Sequence, residues 1–125
     1  GVQIGSRFVV SEESSAHPNF KKAILEAGDG NTKLSLKQLT PVRLLKNKFW
    51  EEVEQAEKNG ASVEELKSLL GRARAKKGMF EGDLEDGELE IGQISGYINA
   101  IKPAADIIVE IVLEYTKALQ SLKEL

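Results

Sequence analysis

A mainly helical chain with one or two short strands is what this sequence predicts, and three observations carry the prediction. Apolar residues recur at helical spacing in several stretches, the longest of them after Pro103. Start and stop signals bracket these stretches: Pro18, Thr40-Pro41, Ser62 with Glu65, and Pro103 at their beginnings, Gly28 and Gly60 at two of their ends. Period-two alternation, the mark of a strand, is read at Gly1 to Ser6 and at Thr32 to Leu39.

The first element is carried by Val2 and Ile4, which flank Gln3 and lead into Gly5-Ser6; this predicts a short buried strand running into a tight turn. Without a Cβ at Gly5, successive backbone N–H groups can point into one concavity, and the Ser6 hydroxyl adds a donor, so the turn suits a phosphate. The strand has no evident partner in the chain, and is expected frayed or paired with a second copy. Val9 and Val10 extend the apolar run before Ser11 to Ser15 break it. Pro18 suits a first helical position, Phe20, Ala23, Ile24 and Ala27 share one face, and Gly28 ends that helix before the turn Asp29-Gly30-Asn31.

Thr32 to Leu39 reads as a short exposed strand or an extended loop. Beyond Leu39 two readings stay open. A helix from Thr40-Pro41 would align Val42, Leu45, Phe49, Val53 and Ala56, whereas an extended Val42 to Lys46 would precede a helix capped at Asn47. Gly60 closes the helix in both, and Ser62-Val63-Glu64-Glu65 is a capping box for another helix reaching Leu70. Arg72, Arg74, Lys76 and Lys77 precede an acidic run at Glu81, Asp83, Glu85, Asp86, Glu88 and Glu90, which reads as a solvated surface with internal ion pairing. Five glycines from Gly78 to Gly96 predict turns and short helical pieces. After Pro103, Ile107, Ile108, Ile111, Val112, Tyr115, Leu119 and Leu122 form a stripe wide enough to need a partner, which points to self-association.

Composition narrows the function classes. A chain of 125 residues suffices for one domain with a modest core, and a formal charge of -3 argues against nucleic acid as the main partner. No cysteine is present, which excludes disulfides and thiolate chemistry within the chain, and a single histidine leaves no zinc cluster. The sequence has neither a signal-peptide pattern nor an apolar run long enough for a bilayer, so a cytoplasmic protein without membrane contact is expected.

Gly-Val-Gln-Ile-Gly-Ser-Arg-Phe at residues 1–8 resembles the last barrel strand of the nitronate monooxygenase (2-nitropropane dioxygenase) family, with Ser6 in place of the usual threonine. The resemblance continues through His17-Pro18-Asn19-Phe20-Lys21, Pro41-Val42-Arg43 with Lys46-Asn47, and Gly82-Asp83, Gly87, Gly92-Gln93 and Gly96. It implies a flavin enzyme on a (β/α)8 TIM barrel, a fold of roughly 250 residues. This chain would then be the C-terminal portion: residues 1–28 the last barrel strand and its helix, residues 29–125 a helical extension.

By the same resemblance, Gln3, Ile4, Gly5 and Ser6 hold the phosphate of FMN, and Gln93 and Ser95 lie near the flavin. No catalytic residue falls in the chain, because the family's proton-transferring histidine lies upstream, and His17 is read as structural. Arg43 and Asn47 are read as structural rather than as a ligand clamp, Trp50, Phe80 and Tyr97 as packing residues, and Ile91, Ile94 and Ile98 as core beside the glycine-flanked segment. The implied activity is FMN-dependent oxidation of alkyl nitronates by dioxygen, with FMN and a small-molecule substrate as partners. A flavin-dependent enoyl-acyl-carrier-protein reductase is the alternative, and a non-enzymatic helical interaction module a further one.

Overall fold

Residues 1–123 are described by a computed structural model, and the order of elements reflects the capping signals. Helix α1 is a single turn, Ser6–Val9; α2 spans Pro18–Glu26. His17 caps α2 by accepting the Asn19 N–H on Nδ1 at 3.1 Å, with Pro18 in the first turn, where a missing N–H costs nothing. Strands β1 (Thr32–Ser35) and β2 (Val42–Leu45) pair antiparallel, from Thr32 opposite Leu45 to Ser35 opposite Val42. Helices α3 (Lys48–Lys58), α4 (Val63–Leu70) and α5 (Arg74–Met79) come next, then a 3-10 turn at Gln93–Tyr97 and the long α6, Ala104–Lys123.

Of the two readings after Leu39, the extended one is the structure. Residues 42–45 are satisfied on both sides: β1 pairs one edge, while on the other Leu45 N–H donates to Leu89 O (2.9 Å) and Ile91 N–H donates to Arg43 O (3.1 Å). Asn47 then starts α3. Its Oδ1 accepts the Trp50 N–H (2.9 Å), and its amide donates to Leu84 O (2.9 Å) and Gly87 O (2.8 Å), so one side chain ties the cap to a loop 40 residues away. The capping box at Ser62 and Glu65 forms in full. Gly78 and Gly87 let two stretches of backbone touch, since a Cβ on Gly78 would stand 2.6 Å from Glu88 O.

Two hydrophobic cores result. One gathers Val10, Phe20, Ile24 and Ala27 with Leu45, Leu89, Ile91 and Ile98; the other is built from Leu36, Leu44, Phe49, Trp50, Val53 and Leu66. Buried Lys21 fastens the first to the connection before α2, its Nζ donating to Ser11 O (2.6 Å) and Ser14 O (2.9 Å).

The structure corrects several expectations. Residues 1–5 carry no regular secondary structure and are exposed, the frayed alternative for that segment, whereas Ser6–Val9 is helical, so no strand forms over Gly1 to Ser6. Extended backbone needs a neighbouring strand for its N–H and C=O groups, and none of the described residues offers one there. Ile94, Phe80 and Tyr97 are half-exposed or more, rather than core or packing residues, whereas Trp50 packs as expected. Along α6 Ile107 is buried and Ile111 half-buried; the rest of its apolar stripe faces outward.

Candidate functional site

Ser6 and Gly92 stand far apart in the chain and meet in space. The Gly92 N–H donates to Ser6 Oγ at 2.9 Å, which leaves the hydroxyl hydrogen free to be donated elsewhere. Gly92 is required there, because a Cβ would sit 2.5 Å from that oxygen. Gly5 is different: its φ of -103° is open to any residue, and a Cβ would meet nothing within 4 Å. The protein's own packing therefore gives no reason for glycine at position 5, while a group approaching the backbone would.

Such an approach is open. A concavity of about 390 Å³ lies over this contact, bounded by Gly5, Ser6, Pro41, Arg43, Glu90 and Gly92. Gln3 and Ile4 are exposed in the irregular segment that leads into Gly5 and are not among the residues that bound the concavity. Of the expected phosphate residues, Gly5 and Ser6 are thus held at one wall, and Ser6 joins them to the Gly-Gln segment.

Gln93 and Ser95 part company. Gln93 is exposed at the first position of the 3-10 turn, while Ser95 is 1% exposed and its hydroxyl has no hydrogen-bond partner among the described residues. Ser95 holds the turn through its backbone, its N–H donating to Gly92 O at 3.0 Å. Gly96 lets the turn lie against Gly28, whose backbone would be 3.3 Å from a Cβ.

The remaining candidates are accounted for by structure. Arg43 Nη1 donates to Thr32 Oγ1 (3.2 Å) across the hairpin, and Asn47 and His17 are caps. The acidic run divides. Glu81 pairs with Lys76 (3.2 Å), Asp83 with Lys77 (2.9 Å) and Asp86 with Lys48 (3.0 Å), as a solvated surface should. Asp83 and Asp86 are held below the usual carboxylate range, Asp83 chiefly by the Asp86 N–H it accepts and then by Lys77, Asp86 by the Lys48 ammonium. Glu88 departs from that reading, being 7% exposed, and burial with Glu90 nearby pushes its carboxyl up to about 7. The pattern that marks it in the sequence is Glu-Leu-Glu-Ile, a strand-like alternation inside what looks like a charge run. Among the described residues no group of acidic or histidine side chains could hold a metal ion, and no helix is long and apolar enough to cross a membrane.

Comparison with known proteins adds three findings. The sequence model of the nitronate monooxygenase family matches residues 1–114. A probable nitronate monooxygenase of Bacillus subtilis (strain 168) is 37% identical over 94 residues, which are 74% of this chain and 27% of that protein. The structure of FabK from Thermotoga maritima superposes with a TM-score of 0.89 at 32% identity over 98% of this chain and 39% of its own, and that of a FabK point variant with 0.79 at 30% identity over 98% and 36%. The chain thus spans between about a quarter and two fifths of the length of these relatives. The mainly helical fold with two short strands is that of one portion of a larger barrel enzyme, as the sequence implied.

Proposed function

We propose that this chain, which belongs to the nitronate monooxygenase family, supplies part of the cofactor site of an FMN-dependent oxidoreductase that oxidises alkyl nitronates with dioxygen. The observation that carries the reading is the Ser6–Gly92 contact, which joins the two glycine-containing segments beside an open concavity. In this reading residues 1–28 complete a barrel and residues 29–125 extend from it.

The residues present fit the cofactor's phosphate. Gln3, Ile4, Gly5 and Ser6 would hold it: the bare Cα of Gly5 admits the anion close to the backbone, and the Ser6 hydroxyl retains a proton to donate. Gly92, having no side chain of its own, keeps Ser6 in that position. Gln93, exposed on the turn that Ser95 braces, would turn its amide toward the ring. The flavin, when bound, supplies the electron chemistry, and the protein supplies position and hydrogen bonds.

The test is an FMN titration of the protein in which this chain is joined to its barrel, with Gly5→Val as the probe. The reading expects FMN to bind, and the valine, whose Cβ would meet nothing within 4 Å in this chain, to weaken binding by about tenfold or more without lowering the melting temperature of the apoprotein. Bound flavin should be reduced by an alkyl nitronate under anaerobic conditions. Absence of FMN binding would overturn the cofactor reading, and nicotinamide-dependent reduction of an enoyl thioester without nitronate turnover would overturn the substrate.

A further inference from the structure

The segment 88–91 lies alongside β2, with Leu45 N–H bonded to Leu89 O and Ile91 N–H to Arg43 O. In extended backbone alternate side chains share a face, so Leu89 (3% exposed) and Ile91 (6%) enter the first core while Glu88 and Glu90 point to the other side. On that side they border a second cavity of about 300 Å³, whose remaining walls are apolar (Leu36, Leu39, Pro41, Val42 and Leu70) except for Thr40. A space of that size is at the lower end of what small-molecule sites occupy.

Glu88 is more than nine-tenths buried at this cavity, and among the described residues its carboxyl has neither a hydrogen-bond donor nor an ion-pair partner. The cation near it is committed elsewhere. Arg74 spends Nε on Leu70 O (2.8 Å), Nη1 on Asp86 O (2.9 Å) and Nη2 on Leu69 O (2.9 Å), and its guanidinium lies over the Phe49 ring at 4.6 Å. The other charged group facing Glu88 is Glu90, of like sign, which also borders the cavity. A carboxylate held largely out of solvent, with no protein donor and its oxygens turned to a cavity, favours a proton or an incoming cation there.

We propose that this cavity is a binding site for a small primary amine in its alkylammonium form, with the ammonium donating to Glu88 and Glu90 and the alkyl chain lying against the leucines, Pro41 and Val42. Each part of the ligand answers a part of the cavity. The ammonium brings the hydrogen-bond donors that Arg74 spends on backbone carbonyls and adds to its positive charge, and a short hydrocarbon chain covers the apolar walls without needing hydrogen bonds. The site is distinct from the concavity at Gly5 and Ser6, although Glu90, Pro41 and Val42 border both.

The probe is n-butylammonium chloride, added at pH 8 to the protein in which this chain is joined to its barrel and followed by the carboxyl carbon resonance of Glu88, with n-butanol and matched sodium chloride as controls. Saturable n-butylammonium binding is expected, with the Glu88 titration midpoint lowered by about one unit, because a bound cation favours the carboxylate. Glu88→Gln keeps the shape and should weaken binding by about tenfold, and Glu90→Gln by less. Equal binding of n-butanol, unchanged affinity in Glu88→Gln, or a Glu88 titration that n-butylammonium moves no further than sodium chloride does would each overturn the proposal. Folding of the Gln variant is read independently from its amide spectrum, so a lost signal cannot be mistaken for a lost site.

Discussion

The two cores differ in how far the chain must travel to build them. Leu36, Leu44, Phe49, Trp50, Val53 and Leu66 come from one continuous stretch, closed by the hairpin and by α3 against α4. Val10, Phe20 and Ile24 must instead find Leu89, Ile91 and Ile98, which lie most of the chain away. Closing such long loops costs entropy before the contacts return anything, so the first core depends on the whole chain while the second stands largely on its own segment. The candidate cofactor residues sit over the dependent core: Ser6 leads into Val10, and Gly92 and Ser95 come directly after Ile91.

The largest effects should come from emptying each core in turn. Phe20 and Phe49 are both fully buried, and truncation of either to alanine should cost about 3–5 kcal/mol. Where the damage appears is the informative part. In Phe20→Ala, amide hydrogen exchange should speed throughout the 91–98 region while α3 and α4 keep their protection; in Phe49→Ala protection should be lost in both. Equal loss everywhere in Phe20→Ala would show a single cooperative core and erase the distinction.

An effect of intermediate size lies at the wall between the cores, where Glu88 stands behind Leu89. Its folded pKa is raised from 4.5 to about 7 by burial, with Glu90 adding to the shift and Arg74 opposing it. Below about pH 4.5 both states hold the proton; between there and pH 7 only the folded state does, so stability falls as pH rises through that window and then levels off. The full loss is on the order of 3 kcal/mol. Chemical denaturation from pH 4 to 8 checks it, and Glu88→Gln should flatten the decline. A wild-type curve that rises across this window would contradict the assignment to Glu88.

What was legible in the sequence divides along the same line. Short-range signals came through: the Ser62–Glu65 box, Pro18 at the start of α2, the turn before β1, and the Asn47 cap, which stood as one of two readings. Choosing between those two required the 88–91 backbone to be present on the far side of β2, and a pairing across more than 40 residues leaves no local mark. Burial of Glu88 was hidden for the same reason, since alternation within an acidic run looks like solvated surface until a second strand and the Leu36–Leu70 side of the fold are placed against it. At the candidate site the order was reversed. Family-like motifs pointed to Gly5, Ser6 and Gln93 before any geometry did, but not to the Ser6–Gly92 bond that connects them.

The smallest effect compares two serines that each accept one backbone N–H. Ser62 Oγ takes the Glu65 N–H within its own cap at 3.3 Å, whereas Ser6 Oγ takes the Gly92 N–H at 2.9 Å across a separation of 86 residues. Either serine changed to alanine should cost about 1 kcal/mol, the usual magnitude for a lost cap or neutral hydrogen bond. Ser62→Ala should loosen only the first turn of α4, because nothing outside that cap depends on the hydroxyl. Ser6→Ala should free the 92–97 turn from the N-terminal segment, raising exchange at both ends of the chain at once. Coupled opening there would mean that the contact bearing the cofactor reading also fastens the dependent core; opening confined to Gly92 would mean that the bond serves the site alone.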